Sequence, residues 1–374
     1  MFQAIRYAGP IVAALCSVNL FFHVREIFRN LRAAKTVVPL CAAIVHWFLM
    51  RDPFSTAWMI CLHLSVVLAA FDAISLILRA FGPNSRAHAG FRALIRRGLA
   101  FFAAALVCVY GVWNMKTVRQ TNYALQTDKF SGEIKIALIS DTHLGNALNT
   151  ESVLKIADRA IADGADALIL AGDLVDEGSN AADFAALCEG LSRRPMRLGA
   201  YYVFGNHDGA RYGGSVSSET VESGLSEAGV TVLTDESLLP NGWLRVVGRR
   251  EASVRSRLSP ESLLKNADPE TEYILFIDHQ PAETKACAAA GVDLLLSGHT
   301  HNGQIWPIGF ISEQFGINEI EYGCKDVDGM KAIVSSGASG WGCAFRTSGK
   351  SEYVMITLNG ISETDSPESM FSTR

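Results

Sequence analysis

Acidic residues are scarce at the start of this 374-residue chain. Residues 1–115 hold only Glu26, Asp52 and Asp72 against 11 Lys/Arg, a net charge of +8. Residues 116–374 hold 35 Asp/Glu against 22 Lys/Arg, a net of −13, so the overall −5 averages two unlike parts. The acidic part argues against nucleic acid as a partner, because phosphate backbones are held by Lys and Arg. CxxC spacings are absent among the eight cysteines, which removes the usual structural zinc motifs. Cys16, Cys41, Cys61 and Cys108 lie in apolar stretches and read as small hydrophobes. A Cys324–Cys343 disulfide is open if that part lies outside the cytoplasm. Histidine is thin as well: after residue 115 only His143, His207, His279, His299 and His301 occur. No internal repeat or low-complexity tract is present, and the length suggests two domains or more.

Charge is missing from four apolar stretches: Tyr7–Val24, Thr36–Met50, Pro53–Phe71 (continuing past Asp72 to Leu78) and Gly98–Met115. A membrane-spanning helix needs about 17–25 apolar residues. The first, third and fourth stretches qualify, and the second does if Lys35 and Arg51 snorkel. A signal peptide would account for the first alone. The expectation is a four-helix transmembrane region over 1–115 in the cell (inner) membrane, a linker over 116–130, and a domain over 131–374. With four spans, Arg25, Arg29, Arg32 and Lys35 share a side with Arg79, Arg86, Arg92, Arg96 and Arg97, against only Arg6 and Arg51 opposite. The positive-inside rule makes that side cytoplasmic and puts the acidic domain on the non-cytoplasmic face. Asp72, inside the third stretch, is an intramembrane candidate, although it lies near the end and can reach the interface.

From Glu133 on, apolar runs alternate with amphipathic stretches. Residues 133–140, 165–173, 198–206, 271–279 and 292–299 read as buried strands. Residues 150–161 carry a helical stripe of Val153, Leu154, Ile156, Ala157, Ala160 and Ile161, with Thr150 as N-cap. Strands alternating with helices predict an α/β architecture. The closer runs at 244–248, 331–336 and 352–358 suggest a second sheet.

Each of the five main strands ends in residues that bind metals. The ends are Asp141-Thr-His143, Gly172-Asp173 with Asp176 three residues on, Asn206-His207-Asp208, His279, and Gly298-His299-Thr-His301. Strands ending at one sheet edge gather such residues in one crevice. Carboxylate, amide oxygen and imidazole without thiolate suit Zn, Fe, Mn or Co. Seven candidates exceed the needs of one metal, and two cations sharing a carboxylate are a recurrent device in phosphate ester hydrolysis. Each piece alone reads equally as a turn or a cap. Five in order, holding every histidine of the domain, do not.

The ordered set D-x-H, G-D-x-x-D, G-N-H-D, H, G-H-x-H resembles the calcineurin-like metallophosphoesterase superfamily, and within it the membrane-anchored bacterial branch. The resemblance covers about residues 130–360, including GHTHNGQIWP and SSGASGWGCAFRTSGKSEY. It implies an α+β sandwich of two sheets flanked by helices, and two divalent metal ions, Mn, Zn or Fe. By the same resemblance Asp141, His143 and His301 would hold one metal and Asn206, His279 and His299 the other. Asp173 would bridge them, and His207 would face the scissile ester without binding metal. The implied mechanism is direct attack by a metal-bridging hydroxide, with Asp176 or Asp208 orienting His207 or a ligand histidine. Asn302 stands where many relatives have Gly, and offers an amide near the substrate. Arg249 and Arg250, with Arg255 nearby, are phosphate-contact candidates. Trp306 and Trp341 would line the pocket mouth or, the favoured reading, pack in the core.

The expected function is a membrane-anchored phosphoesterase acting on a phosphate ester or pyrophosphate, a lipid-linked one included, with the bilayer as its surroundings. The alternative is a catalytically inactive phosphatase-fold sensor or scaffold, which predicts lost ligands where this chain keeps them all.

Overall fold

The computed structural model describes residues 2–32, 34–53, 55–82, 85–96, 98–209 and 212–360. Arg97, one of the nine basic loop residues, and the tail of the expected 131–374 domain lie outside the described residues. The chain divides into two units, one reaching Trp113 and including Gly342–Phe345, the other beginning at Asn114.

The first unit is helical, with α1 (Phe2–Ile27), α2 (Ala34–Leu49), α3 (Thr56–Ala80), α4 (Arg86–Arg96) and α5 (Leu99–Lys116). α3 starts at Ser55, whose side chain accepts the Trp58 N–H. Two small clusters join the helices, Ala13 with Met50, Trp58 and Cys61, and Leu20 with Val24, Leu68 and Ala100. Phe22, Val66, Leu76, Phe102, Leu106 and Val109 face outward. Helices apolar on every side belong in lipid.

Ala8–Ile27, Thr56–Ala80 and Leu99–Lys116 are long and apolar enough to cross a membrane, whereas α2 has only 16 residues. The sequence Arg51-Asp52-Pro53 stops it short. Three candidate spans therefore replace the expected four. Arg25, Arg29, Arg32, Lys35 and Arg51 then fall on one side, and Arg79, Arg86, Arg92 and Arg96 on the other. The basic excess that placed the domain on the non-cytoplasmic face disappears, and the charge pattern selects no side. Asp72 is half exposed; it accepts from Asn19 Nδ2 at 2.9 Å and lies 3.1 Å from His23 Nε2.

The second unit contains β1 (Arg119–Thr127), β2 (Gly132–Ile139), α6 (Thr150–Ala162), β3 (Ala167–Ala171), α7 (Ala181–Ser192), β4 (Ala200–Val203), α8 (Ser218–Glu227) and β5 (Val230–Val232). There follow β6 (Glu236–Leu238), β7 (Leu244–Gly248), α9 (Pro260–Leu264), β8 (Tyr273–Ile277), α10 (Thr284–Ala289), β9 (Leu294–Ser297), α11 (Ile308–Phe315), β10 (Gly323–Val327), β11 (Met330–Val334) and β12 (Glu352–Gly360). One sheet runs β1-β12-β2-β3-β4-β5 and the other β10-β11-β9-β8-β7-β6. Strands β2 to β5 are parallel, as are β7, β8, β9 and β11.

Period-two alternation explains the layers. Ile136, Leu138 and Ile169 meet Val246, Ile277 and Leu296 between the sheets. Ala137, Ile139 and Leu170 face the other way, against Val153, Ile156 and Leu187 of α6 and α7. Val247, Ile274, Phe276 and Leu295 do the same on the outer side of the second sheet, with Leu263 and Cys287. The result is the expected two-sheet sandwich flanked by helices.

Three expectations need correction. Residues 116–130 are not a linker: β1 occupies most of them, alternating half-buried and exposed residues and pairing along β12. Only Tyr123 and Leu125 join the core, so the stretch lacked an apolar run. The five main strands do not share one sheet. β2, β3 and β4 lie in the first and β8 and β9 in the second, while β12 joins the first. A buried parallel strand has the same apolar sequence in either sheet. The α6 N-cap is Asn149, accepting from Ser152 N, rather than Thr150.

Candidate metal centre

The turns after β2, β3, β4, β8 and β9 converge. The Asp141 N–H donates to Gly172 O and the His143 N–H to Asp173 O, which joins the first two turns. The Gly298 N–H donates to His279 O, joining the last two. Asp141, His143, Asp173, His299 and His301 all have positive φ, between 40° and 71°. Non-glycine residues enter that region rarely, and strain of this kind concentrates at functional sites. The glycines inside the motifs have a steric cause. A Cβ on Gly205 would strike Asp173, and one on Gly298 would strike Asp141.

Two donor groups result. The ligand atoms of Asp141, His143 and His301 lie within 4.8 Å of one another, and so do those of Asp173, His279 and His299. Asp173 Oδ2 lies 3.2 Å from His279 Nε2 and 3.8 Å from His143 Nε2. Its Oδ1 accepts the His207 N–H at 2.8 Å. The Asp141 carboxylate accepts the His299 N–H at 3.0 Å. Backbone donors thus orient both carboxylates. Asn206 Oδ1 accepts from Gln280 Nε2 at 3.4 Å, beside His279.

The family model for calcineurin-like phosphoesterases matches residues 134–303, from β2 through the last of these turns. An uncharacterized metallophosphoesterase of Aquifex aeolicus is 30% identical over 267 residues, 69% of this chain and 98% of that relative. The chain belongs to the calcineurin-like phosphoesterase family. The phosphoesterase is also 26% identical over 279 residues to a transmembrane protein with metallophosphoesterase domain of Danio rerio, covering 70% of this chain and 62% of the relative. The crystal structure of a dimetal phosphatase from Danio rerio aligns over 55% of this chain and 87% of its own, at 12% identity and a TM-score of 0.35. By family the chain is a metal-dependent phosphoester hydrolase.

The phosphoesterase's donor set fits divalent cations: buried carboxylate oxygens and imidazole nitrogens with no competing lysine among them. Burial opposes charge on Asp173, but His279 and His143 overcome it and hold the carboxyl well below the usual range. Burial would lower His279; the Asp173 charge and hydrogen bond win and raise it to about 10. Burial, then the His279 charge, push His299 down to about 4. Burial and His143 hold His301 well below its ordinary value. A cation held by His279 would compete with the proton that Asp173 favours there.

Partners around the phosphoesterase site sort the remaining candidates. Asp176 Oδ2 lies 3.3 Å from His143 Nδ1, so it orients a histidine of the donor set rather than His207. Among the described residues Asp208 orients no histidine. Its buried carboxylate accepts the N–H groups of Asp173, Val175 and Gly205 at 2.8, 3.0 and 2.8 Å, and burial pushes it up to about 6. Glu177, which the motifs did not single out, lies 3.4 Å from His207 Nδ1. The His207 ring centroid lies 4.9 Å from Tyr212 and 5.4 Å from Trp341, so Trp341 borders the site instead of packing in the core. Trp306 is 67% exposed and is not core either.

Arg249 cannot serve as a substrate contact. It is buried, bonds Glu283 at 2.7 Å and Leu258 O at 2.8 Å, and lies 3.5 Å from Asp278. With Arg257, 3.1 Å from the same carboxylate, it offsets a buried charge. Arg250 is half exposed, lies 3.6 Å from Asp235, and lines a cavity of about 640 Å³ with Gly205, Asp208 and Glu251. Arg255 is exposed. Asn302 takes a positive φ of 49°, which Asn tolerates better than most residues. Its half-buried side chain lies against Gly349 and Gly309. Cys324 and Cys343 are not joined by a disulfide. Arg346, also missed, is fully buried and donates to the carbonyls of His301, Ser336, Ser339 and Lys350 at 2.9, 3.0, 2.6 and 3.3 Å. It anchors the His301 turn from 45 residues away.

Proposed function

We propose that this phosphoesterase hydrolyses a phosphate ester or pyrophosphate presented at a membrane, a lipid-linked one included, with two divalent cations (Mn, Zn or Fe). One observation carries the reading: the Asp173 carboxylate faces both donor groups, at 3.2 Å from His279 and 3.8 Å from His143. Asp141, His143 and His301 would hold one cation, Asn206, His279 and His299 the other, with Asp173 shared. Two cations there would supply positive charge at the phosphoryl oxygens and lower the pKa of water.

The chain's own residues do the rest. Ala171 O accepts His279 Nδ1–H at 2.8 Å, and Asp176 lies beside His143 Nδ1, so each imidazole turns its Nε2 toward Asp173. His207 is held by its own N–H on Asp173 and by Tyr212 and Trp341 beside its ring. Glu177 at Nδ1 leaves Nε2 to protonate the departing oxygen. Arg250, at the cavity beside Gly205, is the cation available to an anionic substrate group.

The test is hydrolysis by the full-length chain in lipid nanodiscs with Mn, Zn or Fe, across phosphomonoesters, phosphodiesters, pyrophosphates and phospholipids. Turnover of at least one class is expected. His207→Ala should keep both metals and lose about 10²–10⁴-fold in rate. A metal-loaded protein inert on every class would sink the reading, and loss of metal by His207→Ala would refute the assigned role.

A further inference from the structure

Helix α11 reverses the usual pattern of a helix on a soluble domain. Its buried residues are Gly309 and Ser312. On that inner side Ser312 and Asn318 donate to Glu321. The apolar residues of the helix and its two flanks point outward: Trp306, Ile308, Phe310, Ile311, Phe315 and Ile317 are 67, 52, 62, 42, 79 and 68% exposed. Among the described residues of the second unit, the other exposed large hydrophobics, such as Ile161, Tyr212 and Leu258, are scattered. Six within twelve residues form a continuous patch of the kind that marks an interaction site. Their exposure matches that of α5, where Phe102, Leu106 and Val109 are 61, 56 and 68% exposed.

We infer that the outward face of α11 inserts into the surface layer of a phospholipid bilayer. The occupant follows from the chain itself. Three of its helices are membrane-length, and only Thr117 and Val118 separate α5 from β1, so the second unit is tethered where lipid is always available. Phe and Ile on a short helix with Glu313 as its one charge, and Trp306 just before it, suit an interfacial position. The helix is also locked to the metal turn. A Cβ on Gly303 would strike Gly309, and one on Gly309 would strike Asn302, so backbone lies against backbone two residues from His301. Seating α11 in lipid therefore holds the His301 turn at the bilayer surface. Resting on the phosphoesterase reading, this makes the substrate an ester whose phosphate sits in the headgroup layer.

The test uses the full-length chain in nanodiscs of phosphatidylethanolamine and phosphatidylglycerol, with benzoylphenylalanine incorporated at position 310. Irradiation should give lipid adducts on the 306–317 peptide, as a probe at position 102 does and one at position 161 does not. Adducts to a second copy of the chain, or none while position 102 labels, would overturn the inference. The second measurement compares a Phe310→Ser, Phe315→Ser variant, whose two side chains are exposed and leave folding intact, with the parent. Hydrolysis of a water-soluble phosphoester should stay within about twofold, while that of a phospholipid in vesicles should fall about tenfold or more. Equal loss on both, or on neither, counts against it. Crosslinking needs no turnover, so its failure is distinct from failure of the phosphoesterase reading.

Discussion

Replacing Asp208 tests whether the metal centre is organised from behind. Its carboxylate takes three backbone N–H groups, with Asp173 N and Gly205 N on one oxygen and Val175 N on the other. Hydrogen bonds to a charged group contribute roughly 1.5–3 kcal/mol each. In Asp208→Asn the amide oxygen can replace only one carboxylate oxygen. Taking the site of the first keeps two bonds and turns an NH₂ group against the Val175 N–H. The loss is one charge-assisted bond plus two opposed donors, roughly 2–4 kcal/mol. Burial already pushes this carboxyl up to about 6, which offsets part of the gain from its charge and favours the lower end. At about 2–4 °C per kcal/mol for a domain of this size, thermal unfolding should drop by roughly 4–8 °C. Asp208→Ala loses all three bonds and should fall further. Asp173 is among the three tethered residues, so metal affinity should drop by about tenfold as its carboxylate loosens. Thermal unfolding of the full-length chain and metal content by mass spectrometry after dialysis would measure both. An Asp208→Asn protein with parental unfolding temperature and parental metal content would refute the reasoning.

Other predictions concern the same centre. His279, raised to about 10 by the Asp173 charge and hydrogen bond, carries a proton that a cation must displace. Metal affinity should therefore rise with pH between 6 and 9, by about tenfold per unit for each proton released; calorimetry in buffers of different ionisation heat would count the protons, and a flat profile would contradict the assignment. Gly298→Ala puts a methyl group against Asp141 and should lower metal occupancy while the fold persists, as judged by circular dichroism; full occupancy would show that the turn adjusts. An ammonium group has three donors, so Arg346→Lys cannot serve four carbonyls, and leaving at least one buried acceptor unpaired should cost roughly 1–3 kcal/mol. Chemical denaturation checks this, and an unchanged midpoint would mean that water replaces the lost donors.

What was legible in the sequence was local. Each apolar run ended in a motif, and the donor residues could be named because motif and strand end are adjacent in the chain. The glycines of GNHD and GHTH matter sterically, since a Cβ on Gly205 or Gly298 would strike Asp173 or Asp141, but that need shows only once the turns have met. Long-range partnership left no such trace. Arg249 looked like a phosphate ligand because nothing in TEYILFIDH says that Asp278 is sealed from solvent and needs guanidinium charge beside it. Arg346 and Glu177 sit in stretches without periodicity, and their roles exist only once the His301 and His207 turns have arrived. β1 was missed because a half-exposed strand of Arg, Gln, Thr and Asn reads as a loop until β12 supplies its partner. The second apolar stretch counted as a span only if Lys35 and Arg51 snorkel, and its helix stops at Leu49.

The strands that carry the donors come from two sheets, and each donor group draws on both. Asp141 and His143 leave the first sheet and His301 the second; Asp173 leaves the first, His279 and His299 the second. Neither half of the sandwich alone can assemble either group. A chain with only its first sheet formed would present carboxylates without enough imidazoles, and would hold a cation weakly. Metal capture is then a late event, a check that the two sheets have met in register. This reverses the logic of small zinc modules, where the ion directs folding. Here the two sheets must already be in register before their donors can converge on an ion.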